Sequence, residues 1–106
     1  MSLRKSDVAD AIAQEHNETF VLGECVFIRT VSFSSIGRIT RISNLGNSYF
    51  IHLEEACMVA DTERWMNCIE EGQLREVEPV KSPVRVHVDA IVDVWAWNHP
   101  LPREQK

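Results

Sequence analysis

The sequence is poor in the residues that build metal and redox sites. Its three cysteines, Cys25, Cys57 and Cys68, are an odd number, and no two stand at C-x-x-C spacing. Its four histidines are scattered without a pair at ligand spacing. We therefore expect no metal, no cofactor and no disulfide framework, although His52 and His87 would form a partial metal site if their strands were neighbours. Free buried thiols indicate a reducing compartment, which predicts a cytoplasmic protein.

Glycine-rich loops and catalytic motifs are also missing. The four glycines are isolated from one another, so none builds a phosphate-binding loop. Cys57 or Cys68 with a histidine could form a nucleophile pair, but this needs an activated thiolate in an electropositive setting. The many glutamates around these cysteines would instead raise the thiol pKa. The sequence thus predicts a protein that is not an enzyme.

Long apolar runs and an excess of basic charge are absent as well. No apolar run approaches the roughly 20 residues of a membrane span, so we expect no membrane association. Acidic residues outnumber basic ones by 16 to 11, for a net charge of −5. Because Lys and Arg supply most of the non-specific affinity for phosphate, this balance argues against a nucleic-acid partner. A local patch of Arg29, Arg38 and Arg41 keeps that alternative open, beside the simpler interpretation of solvated strand faces.

What the chain does have is a series of extended, apolar segments. Its 106 residues suit a single domain, 1–106. Tight connections join three segments, Val26–Val31, Gly37–Ile42 and Tyr49–Leu53, and Tyr49–Leu53 is apolar on both faces, which predicts a central strand. Later, Val84–Val88 and Ile91–Trp97 alternate in the same way. The pattern predicts a β-rich core over residues 24–97.

Two helices and a tail complete the prediction. Apolar residues at helical spacing indicate an N-terminal helix within residues 1–20. Asp61 or Thr62 is a credible N-cap for a short inserted helix that ends at Glu71, before Gly72. Residues 98–106 carry prolines and charges, so we expect an extended, frayed and flexible tail. The fold class is therefore α+β, with a small, strongly bent antiparallel sheet or an SH3-like barrel.

The order of several short motifs resembles a family of small uncharacterised proteins that bacteriophages and prophages encode. The resemblance covers roughly residues 25–94. Its matching points are Ile28-Arg29-Thr30 before a serine-containing loop, Gly37, Leu53 with Ala56, Trp65, Glu71-Gly72 and Val88-Asp89-Ala90-Ile91. The chain departs from the family at two places. Val31 stands where the family has an aromatic residue, and before the helix, where the family has adjacent aromatic residues, this chain has only Trp65. The resemblance implies a phage or mobile-element origin and a small mixed-β fold, but no activity.

The aromatic residues are the best candidates for a contact surface. Trp95 and Trp97 share a face if their strand is regular, and Phe33 lies in a serine-rich loop. Large aromatic side chains dominate both cores and interfaces. The leading hypothesis is a non-enzymatic protein-binding or assembly protein that forms a homodimer. The alternatives are a nucleic-acid-binding small barrel, or a small-molecule or nucleotide-binding module that uses a barrel mouth.

Overall fold

The computed structural model describes residues 20–106. The predicted N-terminal helix lies outside the described residues, apart from position 20. Six strands and one helix follow in chain order. They are β1 (Cys25–Thr30), β2 (Ser34–Leu45), β3 (Ser48–Asp61), α1 (Trp65–Glu71), β4 (Glu76–Pro79), β5 (Val84–His87) and β6 (Ile91–Ala96), with a single 3-10 turn over Val88–Ala90 between β5 and β6.

All six strands pair antiparallel in one sheet. Five of them follow the order β4-β3-β2-β1-β6, and β5 pairs with β3. The predicted antiparallel sheet with an inserted helix is thus confirmed. β3 is central, because β2 covers one edge while β5 and β4 share the other, β5 at Phe50–Leu53 and β4 at Cys57–Asp61.

The sheet does not close into a barrel, which corrects the expected closure. Within residues 20–106, β4 and β6 end the strand order and do not pair with each other. The reason is a mismatch of lengths. β2 and β3 form a hairpin of 12- and 14-residue strands, whereas β1 has only six residues and reaches only Ser34–Arg38 of β2.

The hairpin bends where β2 and β3 approach most closely. A Cβ atom at Gly37 would lie 3.0 Å from the Leu53 Cβ and 3.2 Å from the Ala56 Cβ, so glycine permits this approach. The register shifts at Gly37, between Ile36 and Arg38, and Glu55 opposite has a positive φ of 51°. The ambiguous segment after Leu53 is therefore a kinked continuation of β3.

Each face of the sheet buries one apolar cluster, because neighbouring residues on a strand point to opposite sides. On β1, Val26 and Ile28 face the first cluster and Phe27 faces the second. The first cluster comprises Phe20, Val26, Ile28, Ile39, Ile51, Leu53, Ala56 and Val86. The second comprises Phe27, Ile36, Cys57, Val59, Cys68, Leu74, Val77 and Trp97.

Helix α1 begins later than predicted, at Trp65. Asp61 is still the last residue of β3, and its carboxylate accepts a hydrogen bond of 2.8 Å from the Glu63 N–H. Glu63 has a φ of 63°, which is incompatible with a right-handed helix. Arg64 then takes the N-cap position without a side-chain cap, and Gly72 ends the helix in the left-handed conformation, as predicted.

Residues 98–106 pack against α1 and β4, whereas the sequence predicted a frayed tail. A ring nitrogen of His99 hydrogen-bonds the Ile69 carbonyl at 2.8 Å. The Lys106 N–H donates to the Val77 carbonyl on β4 at 3.0 Å. Leu101 packs against the second cluster. The tail is extended, but apolar and polar contacts with the body of the protein hold it in place.

Candidate functional site

Trp97 belongs to the core of a single chain. Its side chain is only 3% exposed, and its ring lies 6.1 Å from that of Phe27, centroid to centroid. The indole Nε1 donates to the Pro100 carbonyl at 3.2 Å, so its polar end is also satisfied. Trp97 therefore offers no surface to a partner in this structure.

Trp95 is half-buried on the same face, in a group of aromatic rings around Trp65. The Trp65 ring makes edge-on contacts with Phe27 at 4.9 Å and with Trp95 at 5.4 Å between centroids. Edge-to-face pairs of this kind are favourable beyond the area that they bury. Trp95 thus helps to hold α1 on the sheet and leaves only part of its ring for external contact.

Arg29 packs against this group of aromatic rings and is not free to bind phosphate. Its Nε donates to Asp93 Oδ1 at 2.7 Å, and its Nη2 bonds the second carboxylate oxygen. The guanidinium lies over the Trp65 ring, with Cζ 4.4 Å from the centroid. The hydrogen bond from Arg29 lowers the pKa of Asp93, and the same bond raises the pKa of Arg29. The charge of Arg29 is therefore largely neutralised within the chain.

The other two predicted arginines differ from each other. Arg38 pairs with Glu55, with Nη2 3.0 Å from Oε2, and both side chains are about half exposed. Arg41 is exposed and forms no ion pair with any residue in the described range 20–106. The three do not form one patch, because Arg29 lies against α1 whereas Arg41 lies on the outer face of the far end of the hairpin.

Phe33 lines a surface groove next to the turn between β1 and β2. The tight turn between β1 and β2 is held by the Thr30 hydroxyl, which donates to the Phe33 carbonyl at 2.8 Å. A groove of about 670 Å³ opens next to this turn and is also lined by Met58, Val59 and Glu78. Phe33 is 40% exposed there. This residue of the predicted interface is accessible.

Two further apolar side chains are exposed at the same end of the sheet. Val31 is 83% exposed, and its N–H donates to the Ala90 carbonyl, just before β6. Val92 is 64% exposed, because a bulge in the pairing with β1 turns it outward. We call Val31, Phe33 and Val92 the apolar end. Sequence reasoning missed the two valines, because an alternating pattern predicts them as ordinary strand residues.

The two outer edges of the sheet differ in how they are protected. β4 carries Glu76, Glu78 and Pro79, and the Lys106 N–H donates a hydrogen bond to the Val77 carbonyl. Charges, prolines and covering segments are the usual means of preventing edge-to-edge pairing. On β6 the only charged side chain is Asp93, which Arg29 neutralises, and no other strand among residues 20–106 pairs with its outer edge.

Two of the three cysteines, Cys57 and Cys68, are buried. Burial raises the pKa of Cys57 to about 11 and that of Cys68 to about 11. Each thiol therefore keeps its proton at neutral pH and is a poor nucleophile. His52 and His87 do lie on neighbouring strands, but no group of three potential metal ligands occurs among residues 20–106.

Comparison with family models, with curated proteins and with solved structures gives no match to this chain. Within residues 20–106, no helix has the length and apolar character needed to cross a membrane. A proposal of function therefore depends on the geometry of the sheet edges and the exposed surfaces of this chain.

Proposed function

We propose that this chain is a non-enzymatic assembly protein that forms a homodimer through β6 and the apolar end. The observation that carries the proposal is the contrast between the two sheet edges. β4 is protected by charge and proline, whereas β6 has an edge that no strand within residues 20–106 pairs with, a neutralised Asp93 and the exposed Val92. In this proposal the protein acts in the cytoplasm and comes from a phage or mobile element, as the family resemblance implies.

The two-fold symmetry of a dimer suits an antiparallel sheet edge. Two copies of one strand can pair antiparallel about a two-fold axis, so that each supplies the same surface. The regular part of β6 after the bulge is Asp93–Ala96, which would provide the main-chain hydrogen bonds. Val31 and Val92 lie beside it and would add buried apolar area. Phe33 would lie at the rim of such an interface, next to the groove.

The test is the molar mass in solution over a wide range of protein concentration. Light scattering coupled to size-exclusion chromatography should give a dimer for the wild type and a monomer for Val92→Lys, because a charge there has to be desolvated on pairing. Leu45→Lys is the matched control. Leu45 is 74% exposed but lies at the opposite end of the hairpin, so this variant should remain dimeric.

Two outcomes would reject the proposal. One is a wild-type monomer at every concentration. The other is a Val92→Lys variant that dimerises as tightly as the wild type. Hydrogen exchange supplies a second measurement, since amide protons of β6 should become more protected as the protein concentration rises, while those of β4 should not change.

The small-molecule alternative loses the barrel mouth on which it depended, because the sheet is open. The nucleic-acid alternative loses Arg29 and Arg38 to ion pairs. A different group of residues bears on that alternative, in which Arg41 is joined by Arg85, an arginine that the sequence did not single out.

A further inference from the structure

The outer face of the hairpin end is a basic and aromatic surface on an acidic protein. Three strands, β2, β3 and β5, lie side by side there. Direct pairing aligns Arg41, His52 and Arg85 in one row across them, and Ser43, Phe50 and His87 in the next row. Residues paired directly across strands point to the same face. We call these six residues the basic face.

The register explains why these side chains point outward. Ile42, Ile51 and Val86 occupy the row between the two outward rows, and their side chains pack in or against the first apolar cluster. Because strand side chains alternate, the residues on either side of this row point to the opposite face of the sheet. Arg41 and Arg85 are both exposed. The basic face therefore follows from the burial of the opposite face.

The positive charge of the basic face is not neutralised within the described chain. Neither Arg41 nor Arg85 forms an ion pair with any of residues 20–106. Neighbouring strands lie about 4.8 Å apart, so the two arginine backbones are about 10 Å apart with His52 between them. The carboxylates nearest along the chain are those of Glu54 on β3 and Asp89 after β5, and both residues are exposed.

Two neighbouring rings accompany these charges. Phe50 and His87 are in edge-on contact, 5.0 Å between centroids, and both are half-buried. They lie two residues along the strands from the arginine row, a distance of about 7 Å. A hydrogen bond of 2.6 Å between Ser43 Oγ and His52 Nε2 joins the two rows.

We propose that the basic face binds single-stranded nucleic acid, with one phosphate on Arg41, another on Arg85 and a base against Phe50. Arginines that follow a backbone and an aromatic ring that stacks on a base are the two parts of such sites. An acidic peptide would use the arginines but not the ring. The net charge of −5 confines the attraction to this face and predicts modest affinity.

The ionisation of His52 agrees with an unneutralised face. Burial lowers the pKa of His52, and the charges of Arg41 and Arg85 lower it further. Phosphates held by the two arginines would offset their effect. The pKa of His52 should then rise when nucleic acid binds, which a merely structural histidine would not do.

The experiment is fluorescence anisotropy with a labelled oligothymidylate about ten nucleotides long. The full-length protein is titrated at salt concentrations from about 50 to about 200 mM. Wild-type binding should weaken with a slope of about −1.4 in log K against log salt, as expected for two phosphate contacts. Arg85→Gln should weaken binding and reduce that slope to about −0.7.

Variants at two other positions separate the aromatic contribution from general electrostatics. Phe50→Leu should bind about tenfold more weakly, whereas Phe50→Tyr should bind like the wild type. Arg38→Gln is the matched control, because Arg38 is an exposed arginine on β2 that already pairs with Glu55. It should leave the affinity unchanged. Thermal melting of each variant checks that the fold is intact.

Four results would overturn the proposal. They are no binding at low salt, equal losses in Arg38→Gln and Arg85→Gln, a duplex that binds as tightly as the single strand, and polyglutamate that binds as tightly as the oligonucleotide. An NMR titration of the His52 ring gives an independent readout, and a pKa that does not rise with bound oligonucleotide also counts against it. Val92→Lys should not affect binding, because Val92 lies on β6.

Discussion

Arg29 makes two kinds of side-chain contact, each with a part of the chain distant in sequence. It forms a two-point ion pair with Asp93, 64 residues away, and its guanidinium covers the Trp65 ring of α1. Exposed ion pairs usually stabilise a protein by less than about 1 kcal/mol. A guanidinium that bonds both oxygens of a carboxylate and also stacks on an aromatic ring contributes more than a simple charge pair. Arg38 and Glu55 form the more typical exposed pair, without an aromatic partner.

Arg29→Lys should therefore lower the free energy of unfolding by about 1 kcal/mol, because lysine keeps the charge but loses the paired hydrogen bonds to Asp93 and the stacking on Trp65. Urea denaturation measures this. Arg38→Lys is the matched control and should cost less than about 0.5 kcal/mol. Equal stability of Arg29→Lys and the wild type would mean that the stacking over Trp65 contributes nothing.

At the scale of elements, the end of α1 and the C-terminal tail depend on each other. Gly72 ends the helix at a φ of 74°, and a Cβ atom there would lie 2.7 Å from the Cγ of His99. His99 in turn bonds the Ile69 carbonyl near the end of α1 and contacts the Trp97 ring at 4.9 Å between centroids. Glycine is thus required both for the helix end and for the docking of the tail.

Gly72→Ala should cost about 2 kcal/mol or more, the sum of left-handed strain and a clash with His99. Gly46→Ala isolates the strain alone, since Gly46 has a φ of 62° and open space around its Cβ position. That control should cost about 1 kcal/mol in denaturant unfolding.

A double variant tests the assignment of the difference. In the His99→Ala background, the cost of Gly72→Ala should fall towards that of Gly46→Ala, because the ring is gone and only the contact with the Cβ of residue 99, at 3.0 Å, remains. If the cost in that background is unchanged, the tail does not contact the helix end.

At the scale of the whole molecule, the second apolar cluster makes stability depend on alkaline pH. Cys57 and Cys68 are buried, and burial raises the pKa of each to about 11 from an ordinary 9.0. Between these values the unfolded chain loses thiol protons that the folded chain keeps. Unfolding is therefore favoured as pH rises through this window.

The free energy of unfolding should fall by roughly 2 kcal/mol per buried thiol between about pH 9 and pH 11. Urea denaturation at a series of pH values measures the slope. Other groups also titrate in this pH range, so Cys68→Ala provides the comparison. The contribution of buried thiols to its slope should be about half of that in the wild type. Identical slopes would contradict burial of Cys68.

The sequence predicts the strands well because their signal is local. Alternation in Val84–Val88 and the turn chemistry of Asn44–Asn47 depend only on nearby residues. The start of α1 was misplaced for the same reason, since Asp61 resembles an N-cap but continues β3. The docking of the tail was missed because prolines and charges indicate an exposed segment, whereas its few apolar residues and backbone groups find partners in α1 and β4.

The candidate surfaces were less predictable than the strands. Arg29, Arg38 and Arg41 look equivalent in sequence, yet two of them are ion-paired and Arg41 has no ion-pair partner among residues 20–106. Phe33 was recognised from its loop, whereas Trp97 is a core residue. Arg85 and Phe50 drew no attention, because nothing local indicates that β5 pairs with β3 rather than extending an outer edge.

By itself, the sequence determined the extended segments, the acidic net charge and the apolar face of each strand, because these follow from residue type and the period of two. Only the tertiary structure decided that, among the strands of residues 20–106, the sheet stays open and β6 keeps an unpaired edge, and that Arg41 and Arg85 flank His52. Strand order and register depend on contacts between residues far apart in the chain, and these form only where two apolar clusters can both be buried.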